Sequence, residues 1–379
     1  MTLVARILIA PDKFKDSVTA AQAAAALGAG LLSERPDLDV AALPVADGGE
    51  GTVDAALSAG YQLVPVLAEG PTGEPVDTCF AVLDGTAVVE LADVSGLRRL
   101  PGPKAPLTAS TYGVGQVIAA ALDGGATTIV LGIGGSSSTD GGAGMLQALG
   151  VRLTGADGAD LNRGGAALAG LAEIDVAGLD LRLRPGGGSA VLVASDVNNP
   201  LLGLPGAAAV FGPQKGATPA EVEILDAALT RFAAATASVT GLDLAGAAGA
   251  GAAGGTGFGA LAYLGAKLVP GVELVLDLIG FDDALAGASL VITGEGSMDG
   301  QSLGGKAPIG VARAAAKRGV PVVAVAGQVR LSAEEVAGAG FAAVYALVDL
   351  EPDRAVSMTR ADELLRRVGA QIAASGLVG

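Results

Sequence analysis

Ionisable side chains recur beside glycines in several short segments of the sequence. The lysines are Lys13, Lys15, Lys215 and Lys306, and the carboxylates are Asp12, Asp47, Glu50, Asp196, Glu295 and Asp299. Each carboxylate alone has an ordinary structural explanation, because Asp and Glu also cap helices and favour their first turns. Clustered with lysines in glycine-rich loops, they suit phosphoryl transfer. That reaction needs carboxylates to hold magnesium and accept a hydroxyl proton, and cations and amides to stabilise phosphoryl oxygens.

The chain contains no histidine, which restricts its acid–base chemistry. A general base must then be Asp, Glu, Lys, Tyr or the single cysteine, Cys79. Catalysis by a Ser-His-Asp or Cys-His arrangement and metal sites with histidine ligands are excluded. The carboxylates are therefore the leading candidates for the base.

Residues 134–142, with the sequence GGSSSTDGG, form the segment with the clearest anion-binding pattern. They lie between a predicted strand at residues 127–133 and a predicted helix, where backbone amides can converge on a phosphate or carboxylate. The alternative is a flexible turn whose hydroxyls merely cap the helix. The concentration of glycine and hydroxyl residues at a strand end favours the anion site.

Two further glycine-rich segments resemble nucleotide-binding motifs incompletely. Residues 300–307 nearly match a Walker A loop, but Ala307 stands where a magnesium-binding Ser or Thr is required. Lys306 is predicted to contact nucleotide phosphates, with an ordinary surface lysine as the alternative. Residues 249–254 match the pattern G-x-G-x-x-G, but no predicted strand precedes them, which argues against a dinucleotide site.

Predicted strands precede most of the segments that carry these residues. They cover residues 6–10, 40–46, 127–133, 190–194, 290–293 and 321–326. Residues 62–68 and 77–93 are predicted to be extended, with a hairpin turn at Asp84 and Gly85. Residues 294–305 are predicted to form a long glycine-rich loop. Because parallel strands present loops at their carboxyl ends, these loops are expected to face one crevice.

Composition indicates the class of protein. At 379 residues, two domains are the default expectation. Apolar residues are 51% and aromatic residues 3% of the chain, without Trp, which favours layered α/β packing. A net charge of −16 argues against nucleic-acid or anionic-membrane partners. The uncharged residues 244–266 contain eight glycines, too many for a good spanning helix. No signal-peptide pattern follows the first residue, so a cytoplasmic location is expected.

Six segments together resemble the bacterial glycerate kinase family. They are APDKFKDS at residues 10–17, ADGGEGT at 46–52, GIGGSSSTDGG at 132–142, SDVNNPL at 195–201, FGPQKG at 211–216 and TGEGSMD at 293–299. The resemblance runs in order from residue 5 to the C-terminal helix. It implies an enzyme that phosphorylates D-glycerate with ATP and Mg²⁺. It also implies a flavodoxin-like α/β domain interrupted by a second α/β domain.

We place the flavodoxin-like domain at residues 1–62 plus 283–379 and the inserted domain at residues 63–282. Chemistry and position suggest Asp196 as the base that accepts the substrate hydroxyl proton. Glu295 and Asp299 are the first candidates for magnesium ligands, with Asp47 and Glu50 as alternates.

Other residues are predicted to bind the substrate or the nucleotide. Lys13, Lys15 and Lys215 are expected to receive the glycerate carboxylate or the transferring phosphoryl group. The remaining predicted contacts are Asp12, Ser17, Gly134, Gly135, Ser136, Ser137, Ser138, Asn198, Gly255, Thr256, Gly257, Gly294, Gly296, Ser302 and Lys306.

Two other functions compete with this prediction. A nicotinamide-dependent hydroxy-acid dehydrogenase would need the glycine fingerprint to follow a strand. A non-catalytic two-domain binding protein would not need several magnesium-competent carboxylates. The sequence leaves open which glycerate hydroxyl is phosphorylated, giving 2-phosphoglycerate or 3-phosphoglycerate, and whether the protein is a homo-oligomer.

Overall fold

The computed structural model describes residues 5–184, 186–300 and 302–378. The chain divides into two compact units. The first contains the chain up to Asp47, the segment Asp54–Gly60 and the chain from Val272 onward, and the second contains Gly48–Val53 and Tyr61–Gly271. The domain boundaries after residues 62 and 282 stay predictions, because a division by compactness does not test which segments fold independently.

The strands of the described residues are, in chain order, β1 (Arg6–Pro11), β2 (Asp39–Ala42), β3 (Gln62–Glu69), β4 (Pro75–Leu83), β5 (Thr86–Glu90), β6 (Thr128–Gly132), β7 (Arg152–Gly155), β8 (Leu171–Asp175), β9 (Ala190–Ala194), β10 (Lys267–Val269), β11 (Ala288–Met298), β12 (Val322–Val329) and β13 (Ala343–Ala346).

The α-helices of the described residues are α1 (Ala20–Glu34), α2 (Thr52–Ser58), α3 (Leu91–Ser95), α4 (Tyr112–Asp123), α5 (Ala143–Ala148), α6 (Ala207–Phe211), α7 (Pro219–Thr240), α8 (Ala252–Leu264), α9 (Gly271–Leu278), α10 (Phe281–Ala284), α11 (Ala307–Lys317), α12 (Ala333–Gly338), α13 (Arg354–Thr359) and α14 (Ala361–Ala374).

The sheet of the first unit is entirely parallel and has the order β2-β1-β11-β12-β13. This is the flavodoxin-like order, so the prediction of an α/β fold with a flavodoxin-like parallel sheet is confirmed. Both faces of β1 are buried: Ile7 and Ile9 belong to one core, and Leu8 and Ala10 to another. Such two-sided burial explains why this strand is almost continuously apolar.

Helices α1 and α14 cross closely on one face of the first unit. A Cβ on Gly30 of α1 would lie 2.0 Å from the carbonyl oxygen of Arg366, and a Cβ on Gly369 of α14 would lie 2.3 Å from that of Leu27. Only glycine at these two positions permits the observed crossing. The helix α1 begins at the predicted capping box, in which Thr19 and Gln22 exchange hydrogen bonds.

The second unit has a mixed sheet with the order β10-β9-β6-β5-β4-β3. Its first four strands are parallel, and β4 and β3 are antiparallel additions. Asp84 and Gly85 have φ values of 46° and 77° between β4 and β5, which confirms the predicted hairpin turn. The strands β7 and β8 form a separate antiparallel pair.

The prediction of a loop over residues 294–305 was wrong in its first part. The strand β11 continues to Met298, and Glu295 and Ser297 pair with Ala326 and Gln328 of β12. Glycine occurs at position 294 because a Cβ there would lie 2.3 Å from the carbonyl oxygen of Val325. The glycines of this segment therefore permit a close approach of backbones within a strand.

The uncharged residues 244–266 contain α8, which is interrupted by left-handed conformations at Ala253, Gly254 and Gly255. Within the described ranges, no helix combines the length and the apolar character needed to cross a bilayer.

Candidate active site

The carboxyl edge of the first unit's sheet has a topological switch point between β1 and β11. In open α/β sheets, ligands bind outside the strand ends at such a point. Asp12 directly follows β1, and its backbone N–H donates to the carbonyl oxygen of Gly294 on β11 at 2.8 Å. The backbone N–H of Lys13 donates to Oδ1 of Asp12 at 2.6 Å. These bonds fix Asp12 at the position where a ligand of this fold is expected.

Two carboxylates at the switch point are buried and electrostatically strained. Asp12 is 8% exposed, and burial followed by the charge of Asp47 raises its pKa to about 7. Glu295 is 6% exposed, and burial raises its pKa to about 6, although a hydrogen bond from Ser302 and the charge of Lys306 oppose the shift. Burial and neighbouring negative charges both oppose the ionised forms of Asp12 and Glu295, so a cation bound here would stabilise them.

A divalent metal fits this group of carboxylates. Oε1 of Glu295 is buried and has no hydrogen-bond partner among the described residues, so one acceptor is left over for another ligand. Across the described residues, no three Asp, Glu or Cys side chains come together as a complete metal-ligand set. Mg²⁺ needs no such set, because it is usually held by one or two protein carboxylates, waters and substrate phosphates.

Lys306 lies beside the same acidic group, at the residue before α11. Its Nζ is 3.8 Å from Oε2 of Glu295 and 4.0 Å from Oδ1 of Asp299. The first unit therefore brings together two of the predicted magnesium ligands and the lysine that was predicted to contact nucleotide phosphates.

The loop after β1 places Lys13 and Lys15 near the end of β11. A Cβ on Gly296 would lie 3.1 Å from the backbone nitrogen of Lys15, so glycine allows this close approach. The hydroxyl of Ser17 is already engaged, because it donates to the carbonyl oxygen of Met358 at 2.6 Å. Ser302 is fully buried, and its Oγ accepts from the N–H of Asp299 at 3.1 Å.

The second unit has its own polar centre, in which residues 134–142 contact two other predicted segments. The Nζ of Lys215 donates to Oγ of Ser136 at 2.8 Å and to the carbonyl oxygen of Ser138. The N–H of Gly141 donates to the carbonyl oxygen of Gly254 at 3.0 Å. A Cβ on Gly255 would lie 2.8 Å from Cα of Gly141, which explains a glycine with φ of 91° there.

The remaining predicted contacts of this unit surround the same centre. Gly134 and Gly135 begin the loop, and Leu97 donates to the carbonyl oxygen of Gly135 at 3.1 Å. Ser137 Oγ donates to the carbonyl oxygen of Ser95 at 2.8 Å. Thr256 Oγ1 donates to the carbonyl oxygen of Ala253 at 2.8 Å, and a Cβ on Gly257 would lie 2.2 Å from the carbonyl oxygen of Gly249.

Asp140 organises this loop, and sequence reasoning did not assign it a role. Its fully buried carboxylate accepts hydrogen bonds from the Thr111 N–H at 2.9 Å and from the Thr111 hydroxyl at 2.8 Å. It also accepts from the N–H groups of Gly142 and Gly144, each at 3.2 Å. The sequence signal was an Asp directly before two glycines and a helix, which is typical of a capping carboxylate.

Three predicted residues have surroundings of their own: Asp196, Asn198 and Glu50. Asp196 is exposed just after β9, and its Oδ1 accepts from the N–H of Gly271 at 2.9 Å. Asn198 is exposed on the same segment. Glu50 belongs to the second unit, where its Oε1 is 3.0 Å from Nη1 of Arg98. The structure therefore groups Asp47, Glu295 and Asp299 in one unit and leaves Glu50 in the other.

Comparison with known proteins identifies the family. The model of the glycerate kinase family matches residues 7–376. Glycerate kinase of Bacillus subtilis (strain 168) is 45% identical over 98% of this chain and 97% of the relative. Glycerate 2-kinase of Escherichia coli (strain K12) is 42% identical over 90% of each chain. A crystal structure from Salmonella typhimurium LT2, of a protein provisionally named glycerate kinase 2, has a TM-score of 0.85, 43% identity and 98% coverage of both chains. The chain belongs to the glycerate kinase family.

Proposed function

We propose that the protein transfers the γ-phosphoryl group of ATP to a hydroxyl of D-glycerate, with Mg²⁺ as the metal. The buried acidic group beside Lys306 at the switch point is the observation that carries this proposal. The names of the relatives support glycerate as the phosphoryl acceptor. The name of the Escherichia coli relative, glycerate 2-kinase, favours phosphorylation of the 2-hydroxyl, which would give 2-phosphoglycerate. Phosphoryl transfer explains why carboxylates and a lysine share one partly desolvated place.

Glu295 and Asp299 would hold the metal, directly or through water, together with Asp47 or Asp12. Bound Mg²⁺ supplies positive charge that neutralises phosphate oxygens during transfer. Asp12 and Glu295 are strained when both are ionised without a cation, since burial raises the pKa of each. Oδ1 of Asp299 is 4.0 Å from Nζ of Lys306, so a metal held there would lie close to the lysine that contacts the nucleotide phosphates.

The cations and amides have separate tasks in the proposal. Lys306 contacts nucleotide phosphates, while Lys13 and Lys15 on the loop after β1 receive the glycerate carboxylate or the transferring group. Residues 134–138 bind an anion through backbone N–H groups. Charge-assisted bonds of this kind stabilise negative oxygens more strongly than neutral ones do.

Asp196 is proposed as the base that accepts the proton of the substrate hydroxyl. It is exposed just after β9, and its Oδ1 accepts from the N–H of Gly271 at 2.9 Å, which orients the carboxylate. An oriented carboxylate can perform this step at neutral pH in a protein without histidine.

The two competing functions lack comparable support. In the structure, residues 249–254 follow a series of turns, and the nearest preceding strand, β9, ends at Ala194. The glycine pattern therefore does not open a strand-turn-helix unit of the dinucleotide-binding kind. A non-catalytic binding protein would not account for the strained carboxylates beside Lys306.

Phosphorus NMR of the protein with ATP, MgCl₂ and D-glycerate tests the proposal. We expect ADP and one phosphoglycerate to appear together, and the chemical shift and proton coupling of the product distinguish the 2-phosphate from the 3-phosphate. Excess EDTA should abolish turnover. Unchanged ATP after prolonged incubation, or equal turnover in EDTA, would contradict the proposal.

A further inference from the structure

Lys215 is a buried lysine in the second unit. It ends a short 3₁₀ turn, Pro213–Lys215, and only 1% of its surface is exposed. Burial of a lysine is unfavourable unless its ammonium is well paired. The position therefore needs an explanation that a solvent-exposed cation would not need.

The ammonium of Lys215 connects two loops that are distant in sequence. It donates to Oγ of Ser136 at 2.8 Å and to the carbonyl oxygen of Ser138. Gly254 lies against this contact, because a Cβ there would be 2.8 Å from Nζ and 2.1 Å from the same Ser138 oxygen. Glycine at 254, with φ of 67°, is what leaves room for the lysine.

The bond to Ser138 also fixes the orientation of a peptide group. Because a trans peptide is planar, holding the carbonyl oxygen of Ser138 toward Lys215 points the N–H of Thr139 to the opposite side. Among the described residues, that N–H has no hydrogen-bond partner. The hydroxyls of Ser138 and Thr139 are likewise buried without partners within the described part of the chain. The loop thus keeps polar groups available for a ligand.

The charges around Lys215 are few. Asp140 is the charged group that acts on it and favours its protonated form, but burial is the larger effect and lowers the pKa of Lys215 to about 7. The carboxylate of Asp140 is already occupied by Thr111, Gly142 and Gly144. The ammonium is therefore held mainly by the two loop oxygens.

We propose that Lys215 is a positioning residue, which keeps residues 134–139 in the shape that binds an anion and does not itself contact the substrate. This inference rests on the proposed function. It differs from the direct contact expected from the sequence, because the side chain is enclosed and its donors point at the protein's own oxygens. Its effect on catalysis would pass through the loop.

Three variants test the proposal. Lys215→Met keeps the length and apolar stem of the side chain but removes its donors, and Lys215→Arg keeps a permanent charge. The control is Lys104→Met, because Lys104 is exposed and donates to the neighbouring carbonyl oxygen of Gln214 at 2.7 Å. Amide hydrogen exchange of residues 134–142 is measured in the free protein, together with kcat and KM for ATP and D-glycerate.

In Lys215→Met, we expect exchange of the Ser137 and Gly141 amides to become about 10- to 100-fold faster, as loss of a bond from a charged donor implies. The KM for the substrate whose anionic group binds to residues 134–139 should rise by a similar factor. Lys104→Met should match wild type in amide exchange and in KM. In wild type, the apparent affinity for that substrate should fall as the pH rises through about 7, where Lys215 loses its proton. This dependence should be absent in Lys215→Met, and Lys215→Arg should retain affinity at pH 8.

Other results would overturn the inference. Unchanged loop exchange with a raised KM would mean that Lys215 binds the substrate directly. Faster exchange with unchanged KM and an unchanged pH profile would mean a purely structural role. If the wild-type protein fails to phosphorylate D-glycerate, the proposed function fails. The exchange measurement still decides whether Lys215 holds the loop, since it requires no turnover.

Discussion

Asp12→Asn should stabilise the first unit of the protein while impairing catalysis. The side chain is 8% exposed, and its pKa is raised from 3.8 to about 7, chiefly by burial and then by the charge of Asp47. Ionised Asp12 therefore opposes folding. Asparagine has the same shape, carries no charge, and retains an Oδ1 that can accept from the N–H of Lys13, which is 2.6 Å away.

The size of the effect follows from the two pKa values. A raised folded pKa contributes stability that is fully present below the unfolded value of 3.8 and is lost as the pH rises to about 7. The difference is about 3 units, and at ~1.4 kcal/mol per unit the loss is about 4 kcal/mol at pH 7 and above. Asp12→Asn should therefore gain about 2–4 kcal/mol over wild type at pH 8, and about 1–2 kcal/mol at pH 5.

Urea unfolding in EDTA at pH 5, 6, 7 and 8 measures this difference. Hydrogen exchange of peptides from β1 and β11 makes the readout specific to the first unit. Asp349→Asn, at an exposed site of the same unit, is the control and should follow wild type. A stability difference that stays constant with pH, or a variant less stable than wild type at pH 8, would refute the reasoning. Added Mg²⁺ should stabilise wild type more than Asp12→Asn.

Three further predictions concern substitutions of single residues. Lys306→Ala should raise the KM for ATP more than the KM for D-glycerate, because Nζ of Lys306 lies beside Glu295 and Asp299. Equal KM values for ATP in wild type and variant would mean that Lys306 is an ordinary surface lysine. Asp196→Asn should lower kcat by roughly 10²- to 10⁴-fold with unchanged thermal stability, and near-normal turnover would mean that it is structural. Gly254→Ala should lose about 2–4 kcal/mol of stability, because its Cβ would lie 2.1 Å from the Ser138 carbonyl oxygen. Gly241→Ala, with φ of 75° and nothing within 4 Å, should lose about 1–2 kcal/mol, so equal losses in calorimetry would exclude the steric explanation.

Features determined by local sequence could be predicted well. The turn at Asp84 and Gly85 needs two successive residues with left-handed backbone conformations. An Asp-Gly dipeptide adopts these conformations readily, so the sequence alone predicts the turn. The apolar run at residues 190–194 became the strand β9 with the same bounds. In both cases neighbours in the chain carry enough information.

Features that depend on distant partners could not be predicted. Gly294 and Gly296 indicated a loop in the sequence. A glycine that permits close approach of two backbones cannot be distinguished, from the sequence alone, from a glycine that permits a turn. Asp140 accepts five hydrogen bonds, and three of them come from Ser110 and Thr111, which are 30 and 29 residues away. The burial of Lys215 depends on Gly254, and the residues next to the lysine in the sequence do not predict that it is buried.

The close crossing of α1 and α14 has a consequence for how the protein is made. The glycines of this crossing join a helix near the start of the chain to one near its end, so the first unit lacks β11, β12, β13 and α14 during most of synthesis. The second unit, apart from a short preceding segment, is continuous from Tyr61 to Gly271 and leaves the ribosome complete about 100 residues earlier. A nascent chain arrested near residue 320, with the segment after Gly271 inside the ribosome, should therefore resist protease across residues 61–271, while β1 and α1 are cleaved. Strand β1 and helix α1 thus remain without their packing partners until β11 and α14 have been synthesised.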